Sequence, residues 1–228
     1  MPAIGSVLVI GATGQIGRWV VTEALAEGIV PVAASRDPAR ASRELGVEAV
    51  AFDADDAIGI RQNLGGADAV VMTHGGDSDP GAFSATADAV VSAAEELGKP
   101  VALMTSMGAS RLPTGWARGL MAAKQQAEAR LRAASVHYVI VRPGWFGYQG
   151  PADTRPDIRQ GDEVTGQVGV DPRHVAQALL HGLSDANADY TLELFSKPGD
   201  PLTTSDDWAR QFAVLTPDRP AAPSGAHV

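Results

Sequence analysis

Short apolar runs alternate along the chain with longer stretches in which apolar residues recur every three or four positions. The runs predict strands at 6–10, 30–34, 48–52, 68–73, 101–105, 137–142 and 190–195. The longer stretches predict helices at 15–27, 38–44, 56–64, 81–97, 116–134, 172–184 and 205–214. That alternation is the mark of a parallel sheet covered on both faces, so the fold class is α/β with a doubly wound parallel sheet. Several boundaries have a local cause. Asp37 and Asp171 each place a capping carboxylate before a proline suited to the first helical position. Gly28 and Gly98 stand just past helices, where left-handed backbone is needed. There is no internal repeat, and 228 residues suit a single domain over 1–228. The stretch 147–171 is rich in Gly, Pro, Asp and Gln and has no period. Segments 145–172 and 196–215 together predict a small C-terminal substrate lobe. From Thr216 to Val228 the chain is Pro/Ala-rich and is expected to be a flexible tail.

The first apolar run, Ser6-Val7-Leu8-Val9-Ile10, feeds Gly11-Ala12-Thr13-Gly14-Gln15-Ile16-Gly17 and then a helix. Strand, glycine turn and helix in this order suit a dinucleotide pyrophosphate, and make the sheet one of Rossmann type. Gly11 permits the tight turn, Gly14 lets backbone approach phosphate oxygens, and Gly17 lets the helix pack closely. The anion would rest on free N–H groups at the helix N-terminus, from Thr13 through Gly17. A plain strand-turn-helix connection could carry the same glycines for packing alone.

Composition narrows the partners. The net charge of -9 argues against nucleic acid. The absence of cysteine excludes disulfides, thiolate zinc sites and a cysteine nucleophile. Five histidines are scattered with no compact ligand pattern, so no metal is expected. Neither a signal peptide nor a membrane-spanning run is visible, which makes the expected location cytoplasmic, with no membrane partner. A small-molecule substrate and a monomer or homodimer complete the expectation.

The pattern resembles the atypical short-chain dehydrogenase/reductases, in particular the NmrA-like NAD(P)H-binding branch, over residues 5 to 196. The likeness is carried by the glycine turn; Ser35-Arg36-Asp37-Pro38; Phe52-Asp53-Ala54-Asp55-Asp56; Thr105-Ser106-Met107-Gly108; Lys124; and Val141-Arg142-Pro143-Gly144. At the end of the second strand, Arg36 offers a permanently charged fork suited to a 2′-phosphate. Ser35 can add a hydroxyl, and Arg40 could reinforce the field one turn on. NADP(H) is therefore the expected cofactor, although Asp37 could reach a ribose hydroxyl and so leaves NAD open. The resemblance implies that Asp53 accepts from the adenine amino group, with Ala54 contributing backbone. Asp53 or Asp56 could equally cap the helix that follows. Gly75 and Gly76 would let backbone pass close to the adenosine ribose, and His74 could point toward the nicotinamide.

Short-chain dehydrogenases place a tyrosine four residues before the catalytic lysine, on one helical face. Here Leu120 stands four residues before Lys124, and leucine has no proton to give. The resemblance implies that Lys124 holds the nicotinamide ribose and that Ser106 binds a substrate oxygen. Pro143 and Gly144 fall in the segment expected near the nicotinamide. Tyr148 follows that segment, and it or water would supply the proton. Trp145, Phe146 and Tyr148 beside Trp116 could line a flat pocket or form a small core. The expected function is an NADPH-dependent oxidoreductase that passes hydride to a small carbonyl, enone or quinone-like substrate. Two alternatives stand beside it: a non-catalytic NADP(H) redox sensor or regulatory protein, and an NAD-dependent epimerase or dehydratase.

Overall fold

The computed structural model describes residues 4–74, 79–111, 117–147, 153–184 and 188–220. Strand β1 (Ser6–Ile10) lies inside a nine-stranded sheet. To one side are β2 (Val30–Ser35) and β3 (Ala49–Ala51), both parallel to it. To the other are β4 (Ala69–Met72), β5 (Val101–Met104), β6 (Tyr138–Pro143) and β10 (Ala188–Pro198), all parallel in that order. The strand order therefore reverses between β1 and β4. Ligands of open α/β sheets lie at this switch point, outside the carboxyl ends of the strands.

Side-chain alternation splits the core in two. Val7 and Val9 of β1 join Ile16, Val20, Leu179, Leu183 and Trp208 on one face. These come from α1 (Gln15–Ala26), α6 (Pro172–Ser184) and α7 (Ser205–Phe212). Leu8 and Ile10 point the opposite way, against Ile60, Phe83 and Leu131. Those belong to α3 (Ala57–Gly65), α4 (Pro80–Leu97) and α5 (Arg118–Ala133). Helix α2 (Pro38–Leu45) starts as expected: Asp37 caps it by accepting from Arg40 N at 3.0 Å.

The C-terminal half departs from the sequence expectation. Strand β10 is longer than the 190–195 run because its rim is shared by two antiparallel partners, β8 (Thr154–Arg159) and β11 (Arg219–Pro220). Much of the expected lobe thus adds to the main sheet, while β7 (Trp145–Phe146) and β9 (Gly169–Val170) pair separately. The expected flexible tail does not begin at Thr216. Arg219 donates to Asp189 Oδ2 at 2.6 Å and to the carbonyls of Ala134 (2.8 Å) and Val136 (2.7 Å). Asp218 accepts from Thr191 Oγ1 at 2.5 Å. These charge-assisted contacts hold the chain through Pro220, and residues 221–228 lie outside the described residues.

Candidate active site at the carboxyl ends of the strands

Strand β1 runs into Gly11, which has φ 83 and whose added Cβ would lie 2.8 Å from His74 N, across the switch point. Only glycine fits there. Gly14 N donates to Gly11 O at 2.9 Å, and Gly14 forms the N-cap of α1 without a side-chain cap. The first helical bond runs from Arg18 N to Gly14 O, so the N–H groups of Gln15, Ile16 and Gly17 have no intrahelical acceptor. No acid stands in the first turn of α1. Thr13, Gly14 and Gln15 are exposed, whereas the Ile16 side chain is in the core and only its amide could serve a ligand. Gly17 is the tightest position, since a Cβ there would sit 2.1 Å from Gly11 O. Its role is to let the helix press against the turn itself.

The next station is the end of β2. Arg18 and Arg40 both bind Glu44, Arg40 Nε at 2.6 Å from its Oε1. Arg40, expected to reinforce a phosphate field, is largely neutralised by that carboxylate. Arg36 is exposed and forms no ion pair with the described residues, so it is the free cation here. The Ser35 hydroxyl faces inward to the backbone of Asp37, accepting from its N at 3.1 Å. Asp37 caps α2 through Oδ1 alone, so its second oxygen is as open to a donor as that of Asp53. After β3, Asp53 Oδ1 accepts from Asp55 N at 3.0 Å while Asp56 caps α3 through Gly59 N. Asp53 stays exposed beside half-buried Ala54, with its second oxygen free for a donor.

His74 follows β4 and stacks on Phe83 at 5.8 Å. Its Nδ1 is buried with no hydrogen-bond partner among the described residues. Burial, with Arg36 nearby, lowers its pKa and keeps the ring neutral. Gly75, Gly76, Trp116 and Tyr148 lie outside the described residues.

Beyond β5, the Ser106 hydroxyl is half-buried and donates to Met107 O at 3.1 Å. Lys124 is not a surface lysine. It is 8% exposed, and its Nζ donates to Thr105 O at 3.2 Å, one residue from Ser106. Burial lowers its pKa to about 8, against a smaller opposing pull from Glu128. The segment Pro143-Gly144 is less available than expected. Pro143 O accepts from Met107 N at 3.0 Å and Gly144 N donates to Leu194 O at 2.9 Å. A Cβ on Gly144 would meet Val168 O at 2.3 Å, so that glycine serves packing. Trp145 (53% exposed) and Phe146 (40%) form no core; both present their rings to solvent.

Beneath these residues lies a buried ionic cluster that sequence reasoning did not find. Arg142 binds Glu128 through Nε (2.9 Å) and Nη2 (2.5 Å). Its Nη1 lies 3.3 Å from Glu193 Oε1 and 3.7 Å from Asp162 Oδ2. Asp162, at φ 56, accepts from Gly108 N (2.6 Å) and Ser110 N (2.8 Å). It thereby ties the loop after Ser106 to the cluster. Burial opposes ionisation of Glu128, but Arg142 outweighs it and holds its pKa down; Glu193, buried with weaker help, is pushed up. The available signal was the four-residue spacing of Lys124 and Glu128 on one helix face.

Glycines that exclude a Cβ, open amides, an orphaned imidazole nitrogen and one free arginine fit a nicotinamide dinucleotide laid across the switch point. The fold and this donor set define a Rossmann-type nucleotide-binding protein. The chain belongs to the NAD(P)H-binding family, whose sequence profile matches residues 11–186, and the resemblance read from the sequence holds at that level. No curated protein matches it. Among solved structures it is similar to a Bacillus halodurans protein named only provisionally as an NAD-dependent epimerase/dehydratase. That likeness has 22% identity and TM-score 0.74, covering 90% of this chain and 99% of the other. ChuY, an anaerobillin reductase from Escherichia coli O157:H7, is 25% identical with TM-score 0.67, covering 86% and 100%. A wide-type short-chain dehydrogenase/reductase from Veillonella parvula, in complex with NADP, is 18% identical with TM-score 0.64, covering 86% and 96%. Among the described residues, no helix is long and apolar enough to cross a membrane.

Proposed function

We propose that the protein is an NADPH-dependent reductase of small carbonyl, enone or quinone-like compounds. The observation that carries this reading is the burial of Lys124 beside Thr105 and Ser106, on the same carboxyl-end rim as the amide cradle. A lysine that served only solubility would lie in water. When bound, the reduced dinucleotide supplies a hydride. The chain does the rest. The open amides of Gln15, Ile16 and Gly17 receive the diphosphate, Arg36 takes the 2′-phosphate, and Asp53 accepts from the adenine amino group. Lys124 is directed at the nicotinamide end. Ser106 turns its hydroxyl from Met107 O to the substrate oxygen. Exposed Trp145 and Phe146 offer flat apolar faces for the acceptor. The test is steady-state NADPH oxidation against ketones, enones, quinones and flavins. Turnover with at least one class is expected, and tight NADPH binding with no turnover would overturn the reading.

Selectivity has its own check. Arg36→Ala should weaken NADPH by roughly 1.5–3 kcal/mol, the worth of a charge-assisted pair, and leave NADH nearly unchanged. Equal losses, measured by fluorescence titration of both coenzymes, would refute the 2′-phosphate role.

Half-buried Leu120 at the tyrosine position favours a second reading, a dinucleotide sensor without proton chemistry. Such a protein would capture a partner in one NADP redox state. A pull-down indifferent to oxidised or reduced cofactor removes it.

A further inference from the structure

On the reductase reading, we propose that Lys124 is the proton donor: its Nζ protonates the substrate oxygen in place of the tyrosine that Leu120 replaces. Lys124 sits on α5 against the end of β5, where Nζ donates to Thr105 O at 3.2 Å. An ammonium has three N–H bonds, and among the described residues that is its one hydrogen bond. Glu128, one turn along the same helix, would ordinarily pair with it. Both Glu128 oxygens are occupied instead. Oε1 accepts from Thr105 Oγ1 (2.6 Å) and Arg142 Nε (2.9 Å); Oε2 accepts from Arg142 Nη2 (2.5 Å) and Arg132 Nη2 (3.1 Å). Arg142 thus keeps the nearest carboxylate from locking Lys124 as a permanent cation.

The other charges in the packed elements are engaged elsewhere. Glu193 on β10 and Asp162 turn to Arg142, and Arg111 lies 3.6 Å from Asp162. Asp88 and Glu95 on α4 bind Arg130. The buried ammonium therefore titrates near neutrality, at about 8, where a general acid works best. In the step, hydride adds to the carbonyl carbon and the C=O π bond breaks. Its electron pair passes to oxygen, which takes a proton from Nζ. Neutral Lys124 then regains a proton from water.

The chain has three lysines, at 99, 124 and 197, so lysine 13Cε labelling gives three NMR signals. One should titrate near pH 8 in the free protein and vanish in both Lys124→Arg and Lys124→Met. Lys124→Arg, whose charge is permanent, should lose about 100-fold in kcat and lose the alkaline fall of the pH profile. A wild type that turns over with no lysine signal titrating near pH 8 overturns this role alone. So does a Lys124→Arg enzyme with normal kcat beside an inactive Tyr148→Phe. A wild type that binds NADPH and reduces nothing removes the reductase reading and this role together.

Discussion

Gly14→Val should abolish dinucleotide binding while the chain stays folded. At φ -73 and ψ 172 the position accepts any L-residue. A Cβ would have Gly11 O at 3.2 Å as its nearest neighbour, a contact the turn can relieve with a small shift. The cost to the fold is that of a poor N-cap, about 1 kcal/mol. The cost to the ligand is larger, because branched methyls would cover the open amides of Gln15, Ile16 and Gly17. We expect at least a 100-fold loss in affinity, about 2.7 kcal/mol, by calorimetry, with a melting temperature lowered by only a few degrees. Gly17→Ala should behave oppositely and lose the fold first, since its Cβ would lie 2.1 Å from Gly11 O. Retained binding in Gly14→Val would show that the diphosphate does not cross this turn.

Arg142→Met should strongly destabilise the fold. Arg142 is 5% exposed and stands among Glu128, Glu193 and Asp162, each nearly inaccessible. Removing the shared cation leaves buried carboxylates without their main partner, a loss of about 3–5 kcal/mol. The pH dependence has a definite sign. In the wild type Glu128 is held below its ordinary pKa, so its stabilisation is full above the unfolded value, near 4.3, and is lost as pH falls through the lower folded value. Glu193 has a raised pKa and costs stability as pH rises through its folded value. Without Arg142, both groups should titrate high. The gap between variant and wild type in urea unfolding should therefore narrow from pH 8 to pH 5.5. A constant gap, or one under about 1 kcal/mol, would contradict the account.

Much of the fold could be read from local signals. The Ser6–Ile10 run, the glycine turn and the Asp-Pro cap at 37 each act within a few residues, and each sits where periodicity and capping chemistry put it. The later strands could not be read that way. Strand β8 carries Pro156 and three charged residues, and it is a strand because β10 offers it an antiparallel edge. Strand β11 exists because Arg219 reaches Asp189 and two carbonyls distant in sequence. The site divides along the same line. Gly11, Gly17 and Arg36 announce themselves by type and place. The burial of Lys124 depends on β5, and the ionic cluster joins α5, β6, β10 and the Asp162 loop. Asp162 adds a further reason, for its left-handed backbone is uncommon outside glycine, and nothing local in the sequence singles out this aspartate.

Calorimetric titration of the wild-type protein with NADPH and with NADH tests the central claim most directly. The open amides at the start of α1 and the unpaired Arg36 predict one site per chain, with NADPH bound at least tenfold more tightly, about 1.4 kcal/mol. Heat from neither coenzyme, or equal affinity for both, would contradict it.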